Sequence, residues 1–139
     1  MALKASELKV GATHKERVAT NISRTQLVQY AGASGDYNPL HTDEVYTTQA
    51  AGYPSVFAHG MLTMGLTGKM LTNFVGDGTL TNYGVRFTNQ VWPGDTLDST
   101  ATVTAIREEG GQKLVDLTIS TVNQDGKEVV SGTATAKVA

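Results

Sequence analysis

The sequence predicts an α+β fold in which helices come first and an antiparallel sheet follows. Three observations predict it. The most apolar stretch, Val56 to Val75, holds a helix-length run from about Gly60 to Phe74. The residues after Gly76 alternate apolar and polar side chains over several short runs, the period of half-buried strands. Two hairpin signals, Glu108-Glu109-Gly110-Gly111 and Asp125-Gly126, separate those runs.

The elements follow in order. Thr13 to Ile22 alternates weakly and reads as an opening strand. Ser23 begins a helix, with Gln26 three residues on as a capping box and Ile22 as a hydrophobic staple. Leu27, Val28 and Ala31 give that helix an apolar face, and it fades over Gly32 to Gly35. Gly35-Asp36-Tyr37-Asn38-Pro39 is a loop. Thr42 or Asp43 caps a short second helix that Gly52 ends.

In the Gly60 to Phe74 helix, Met61, Leu62, Leu66, Met70, Leu71 and Phe74 cover more than one face, which predicts full burial. Gly60, Gly65 and Gly68 each weaken it by roughly 1 kcal/mol relative to Ala, so close backbone approach by a wrapped sheet is the expected reason for them. Four strands complete the chain: Leu80 to Val91, interrupted at Gly84; Thr96 to Arg107; Lys113 to Val122; and Glu128 to Ala139. Leu97, Ala101, Val103 and Ala105 share one face, as do Val115, Leu117 and Ile119, and Val130, Ala134, Ala136 and Val138. Trp92 and Tyr83 read as packing residues.

A chain of 139 residues is expected to form one domain, 1–139. Net charge is -2, with no Lys or Arg run, which argues against nucleic acid. There are no cysteines, so disulfides, thiolate catalysis and Cys metal sites are excluded. No apolar stretch follows a basic N-terminal segment, so no secretory leader is expected. The apolar stretch is broken by His59, Lys69 and glycines, which speaks against a membrane span. A cytoplasmic protein is the expectation.

The chemistry concentrates in one loop. Asp36 and His41 stand five residues apart across a turn containing Pro39. If the turn folds back, a carboxylate and an imidazole converge, as proton transfer requires; Asn38 can hold one of them. The same residues are also ordinary turn chemistry, with His41 as a surface residue before a helix cap. His59 and Gly60 open the buried helix, where free N–H groups and a partial positive charge suit a developing oxyanion. His59 itself reads as a satisfied core histidine or a supporting residue. Asp36, His41, Asp43 and His59 could ligate a metal, but no spacing matches a metal motif and none is expected.

At these residues a resemblance enters. The run Tyr30-Ala31-Gly32-Ala33-Ser34-Gly35-Asp36-Tyr37-Asn38-Pro39-Leu40-His41 resembles the hydratase motif of the MaoC-like, or R-specific enoyl hydratase, family. Phe57-Ala58-His59-Gly60-Met61-Leu62 is similar to that family's second block, and Tyr83 to Phe87 with Val91 to Asp95 to its first long strand and turn. The Met1-Ala2-Leu3 start, the Asp36 to His41 loop and His59 to Gly65 resemble the catalytic subunits among actinobacterial 3-hydroxyacyl-carrier-protein dehydratases.

The resemblance implies a hot-dog fold, a sheet wrapped around the Gly60–Phe74 helix. It implies reversible hydration of a 2-enoyl thioester, on coenzyme A or acyl carrier protein, to the R-3-hydroxyacyl thioester. Asp36 and His41 are then the catalytic pair, the Gly60 N–H binds the thioester oxygen, Asn38 orients the loop and His59 supports. No metal or organic cofactor is implied, because the thioester acidifies the C2 proton. A homodimer, or a heterodimer with another hot-dog chain, is implied as the partner arrangement.

One departure stands out. Some family members carry a Ser where this chain has Gly68, beside Thr67, and the smaller residue is expected to leave room for a different or longer acyl chain. Two other readings compete. Hot-dog thioesterases usually place a carboxylate on the central helix, but Gly60 to Phe74 contains neither Asp nor Glu. A non-catalytic acyl-binding subunit would typically lose Asp36 or His41, and this chain keeps both.

Overall fold

A computed structural model describes residues 3–139; the Met1-Ala2 start noted above lies outside them. The elements are β1 (Thr13–Ala19), α1 (Arg24–Ser34), a 3-10 turn (Pro39–His41), a π turn (Tyr46–Ala50), α2 (Gly60–Val75), β2 (Leu80–Phe87), β3 (Leu97–Glu109), β4 (Gln112–Val122) and β5 (Glu128–Lys137). All strand pairs are antiparallel, in the order β1-β3-β4-β5-β2. The fold is α+β of the hot-dog kind: one long sheet curls around α2. Among the described residues, no helix is long and apolar enough to cross a membrane.

Local chemistry sets the boundaries. β1 stops at Ala19, short of the expected Ile22, because Asn21 turns to φ 50 and Ile22 N–H donates to Asp95 O. Ser23 Oγ then accepts from Gln26 N–H at 3.0 Å, the expected cap of α1, and Gly35 ends the helix at φ 76. Asp43 rather than Thr42 caps the next turn, its Oδ1 accepting from Tyr46 N–H. That turn has π rather than α geometry.

Three expectations about side-chain placement are corrected. α2 is not buried all round: Met61 is 56% exposed, and Gly65, Lys69 and Asn73 face solvent. Gly60 and Gly68 are closely approached, but among the described residues no other part of the chain comes within 4 Å of where a Gly65 Cβ would stand. Ala105 leaves the buried face of β3, because the β3–β4 register slips between Val103 and Ala105. In addition, β2 runs through Gly84, which pairs with Thr133, and ends at Phe87 rather than Val91.

The core fills the trough between sheet and helix. Met70, Leu71 and Val75 of α2 pack on Val103, Val115 and Leu117. A second cluster, including Ile22, Leu27, Val56, Ala58 and Leu97, seats α1 and the segment before α2. Where α2 crosses the sheet centre, three fully buried hydroxyls meet. Thr67 Oγ1 and Thr121 Oγ1 are 2.7 Å apart, and Ser99 Oγ is 2.6 Å from Thr121 Oγ1. Each hydroxyl can donate to the next, which satisfies polar groups that would otherwise be costly to bury.

Candidate active site

The Asp36–His41 loop is built by its own side chains. Asn38 N–H donates to Asp36 Oδ1 at 3.2 Å, and Leu40 N–H donates to Asn38 Oδ1 at 3.0 Å. These successive turns, with Pro39 opening the 3-10 turn, fold the chain back so that Asp36 and His41 lie on the same side. Thr47 Oγ1 donates to Pro39 O and fastens the turn from behind.

The segment before α2 closes on this loop. Phe57 N–H donates to Leu40 O, and His41 Nδ1 lies 2.6 Å from Phe57 O. A carbonyl only accepts, so His41 carries its proton on Nδ1 and leaves Nε2 as a free base. His59 Nε2 lies 3.0 Å from Asp36 O, and by the same logic it donates to that carbonyl. Donor atoms of Asp36, His41 and His59 all fall within 4.8 Å of one another. The pair expected from the sequence is therefore brought together, with His59 as a third member.

His41 is partly buried, and burial holds its imidazole below the ordinary histidine value. The bond to the Phe57 carbonyl opposes that shift, His59 adds to it, and the Asp36 carboxylate opposes it. His59 is 1% exposed; the expected satisfaction holds at Nε2, while its buried Nδ1 has no hydrogen-bond partner among the described residues. The Tyr30 ring meets the His59 ring edge-on at 4.8 Å. The rings of His41 and His59 stack, and with Asp36 they stand close enough together to hold an ion.

Gly60 begins α2, so its N–H has no partner within the helix. Beside it opens a pocket of ≈ 280 Å³ walled by Phe57, Thr63, Phe87, Val91 and Val130. Asp36 and His41 do not line this pocket; the His41 ring meets the ring of Phe57, which does, edge-on at 5.3 Å. Phe87, one side of the mouth, is 52% exposed. The space expected at Gly68 is filled: a Cβ there would stand 3.3 Å from the Tyr83 ring. Thr67 points into the buried hydroxyl cluster.

Sequence reasoning missed Phe57, whose carbonyl sets the His41 tautomer. It also missed Phe87, whose ring lies 3.1 Å from where a Gly60 Cβ would stand. The available signal was strand alternation, which puts Tyr83, Val85 and Phe87 on one face.

The structure is thus a hot-dog domain in which a carboxylate and an imidazole converge beside the N-terminus of the central helix. Residues 6–125 match the MaoC like domain family, and the chain belongs to that family. It is 36% identical over 123 residues to an (R)-specific enoyl-CoA hydratase of Rhodospirillum rubrum, covering 87% of this chain and 83% of that one. It is 44% identical over 69 residues to 3-hydroxyacyl-thioester dehydratase Y of Mycobacterium tuberculosis, covering 48% of this chain and 24% of that protein's length. The solved (R)-hydratase from A. caviae superposes with a TM-score of 0.84 at 28% identity, covering 97% of this chain and 100% of that one.

Proposed function

We propose that this chain, as one MaoC-like domain, reversibly adds water across the C2–C3 double bond of a 2-enoyl thioester to give the (R)-3-hydroxyacyl thioester. It is thus a hydro-lyase of fatty acid metabolism, acting in the cytoplasm on coenzyme A or carrier-protein thioesters. The observation that carries the reading is the convergence of Asp36, His41 and His59, whose ligand atoms lie within 4.8 Å of one another, with His41 Nδ1 bonded to Phe57 O so that Nε2 is left as the basic nitrogen.

The geometry supports a division of labour. A water held between the Asp36 carboxylate and His41 Nε2 gives one proton to His41 as its oxygen bonds to C3. The π electrons move onto the thioester oxygen, and the Gly60 N–H accommodates that charge at the positive end of α2. The imidazolium then returns the same proton to C2. In reverse, neutral His41 takes the C2 proton and passes it to the departing hydroxyl that Asp36 holds. One base serving both carbons accounts for syn addition. Asn38 positions Asp36 through its backbone N–H and caps the turn with its side chain. His59 supports from behind.

A second hot-dog chain, identical or related, fits along β2. Among the described residues that strand is at the sheet edge, with one side paired to no other strand. Phe87 in the pocket wall and Met61 in the first turn of α2 are both exposed, so a partner that covered them would bury apolar surface. The test is incubation with crotonyl-coenzyme A, followed by ultraviolet absorbance and chiral analysis of the product. The reading expects loss of the enoyl band and R product; a folded protein that leaves the band unchanged at any concentration contradicts it.

A further inference from the structure

We propose that Glu44 is a positioning residue for His41: its carboxylate, gripped by Arg24, holds the Val56–Phe57 segment whose carbonyl fixes the proton of the His41 imidazole. This rests on the reading of His41 as the base.

Three bonds join the segment before α2 to the His41 loop. Phe57 N–H donates to Leu40 O at 3.2 Å, and His41 Nδ1 donates to Phe57 O at 2.6 Å. Val56 N–H donates to Glu44 Oε2 at 3.3 Å. The first bond is backbone to backbone, and the second is the one to be positioned. Glu44, on the stretch of chain that follows His41, supplies the third. Beyond Phe57, Ala58 N–H donates to Val91 O at 2.8 Å. The Phe57 carbonyl is thus carried on a short span tied at both ends, with Glu44 at one of them.

Arg24, the first residue of α1, sets the Glu44 carboxylate in place. Its Nη2 donates to Glu44 Oε1 at 3.1 Å and its Nε to Oε2 at 3.4 Å, a two-pronged pairing that fixes the plane of the carboxylate. The Arg24 bond, and after it the Val56 bond, holds the Glu44 carboxyl below its ordinary value, so it stays charged and accepting. One carboxylate thereby joins α1, the His41 turn and the Phe57 segment. The Arg24 and Glu44 side chains are 59% and 44% exposed, and ion pairs so exposed contribute little to stability. What this one fixes is geometry.

The geometry matters because a neutral imidazole carries one proton on either nitrogen, and the bond made by one nitrogen decides which. If Phe57 O drifts out of reach of Nδ1, the Nε2–H form becomes accessible. That form presents no basic nitrogen beside Asp36. His59, stacked on His41, donates to Asp36 O and so gives His41 Nδ1 no substitute acceptor.

The experiment is nitrogen NMR of histidine-labelled wild type, Glu44→Ala, Glu44→Asp and Glu44→Gln, with crotonyl-coenzyme A kinetics on the same proteins. The His41 signal is assigned by its loss in His41→Gln, and folding is checked by circular dichroism. Ala removes the acceptor, and Asp keeps the charge on a side chain one methylene shorter. Both should populate the Nε2–H form of His41 and lose about tenfold in kcat, with KM changed less, because alignment and not substrate contact is lost. Gln keeps an acceptor at the original reach and should hold more of the Nδ1–H form than Ala does. A wild-type tautomer in a folded Ala or Asp variant overturns the proposal, as does a Gln variant that changes as far as Ala. Asp decides the matter if Ala does not fold. A wild type that leaves crotonyl-coenzyme A unchanged, while the tautomer shifts in Ala and Asp, removes the hydratase reading and leaves the positioning of His41 by Glu44.

Discussion

The rings of His41 and His59 stack with centroids 3.8 Å apart and planes 26° from parallel. His59 also donates to the backbone carbonyl of Asp36, so one buried side chain touches both halves of the proposed acid–base pair. Replacing it with Phe preserves a ring against His41 but removes the donor. We expect His59→Phe to stay folded and lose roughly tenfold or more in kcat/KM, because a misplaced loop weakens alignment. Wild-type kinetics in that variant would contradict a positioning role.

The pH dependence has a definite sign. Burial, the largest influence, depresses His41, and the mechanism needs the neutral imidazole. Activity is therefore present above the folded value and lost as pH falls through it. The acid limb should lie below about 6.5, the ordinary histidine value. A profile of kcat/KM against pH checks this, and a limb above that value contradicts it.

Gly132 tests the sheet. A Cβ built there falls 2.1 Å from the carbonyl oxygen of Gly84 on β2 and 3.0 Å from Val85. The backbone must shift to relieve that contact, so Gly132→Ala should destabilise by about 1–3 kcal/mol and loosen the edge strand carrying Tyr83 and Phe87. Urea denaturation measures the first effect, and amide exchange along Leu80–Phe87 the second.

The buried hydroxyls predict a smaller effect. Thr67→Val removes one member of the cluster, while Ser99 and Thr121 keep their 2.6 Å contact. The expected loss is about 1 kcal/mol by thermal melting. A loss several times larger would mean that the cluster fixes the seat of α2 as a unit.

Much of this architecture was legible in the residues. Ser23, Gly35 and the Asp125-Gly126 hairpin follow local rules, and the structure keeps them where those rules put them. The Asp36–His41 juxtaposition was foreshadowed because Pro39 and two Asx turns fold the loop through short-range bonds. The π geometry of Tyr46–Ala50 and the bulge that displaces Ala105 were not, since register and packing against distant strands decide them. The contacts of Phe57 and Tyr83 were hidden for the same reason: each meets a partner many residues away, His41 in one case and Met64 with Gly68 in the other.

The most direct test of the central claim is the hydration rate of crotonyl-coenzyme A by wild type, Asp36→Asn and His41→Gln, with folding verified by circular dichroism. The account predicts that wild type turns over and that each variant loses about 10² or more in kcat. Equal rates in wild type and either variant would contradict the assignment of that residue to the proton transfers.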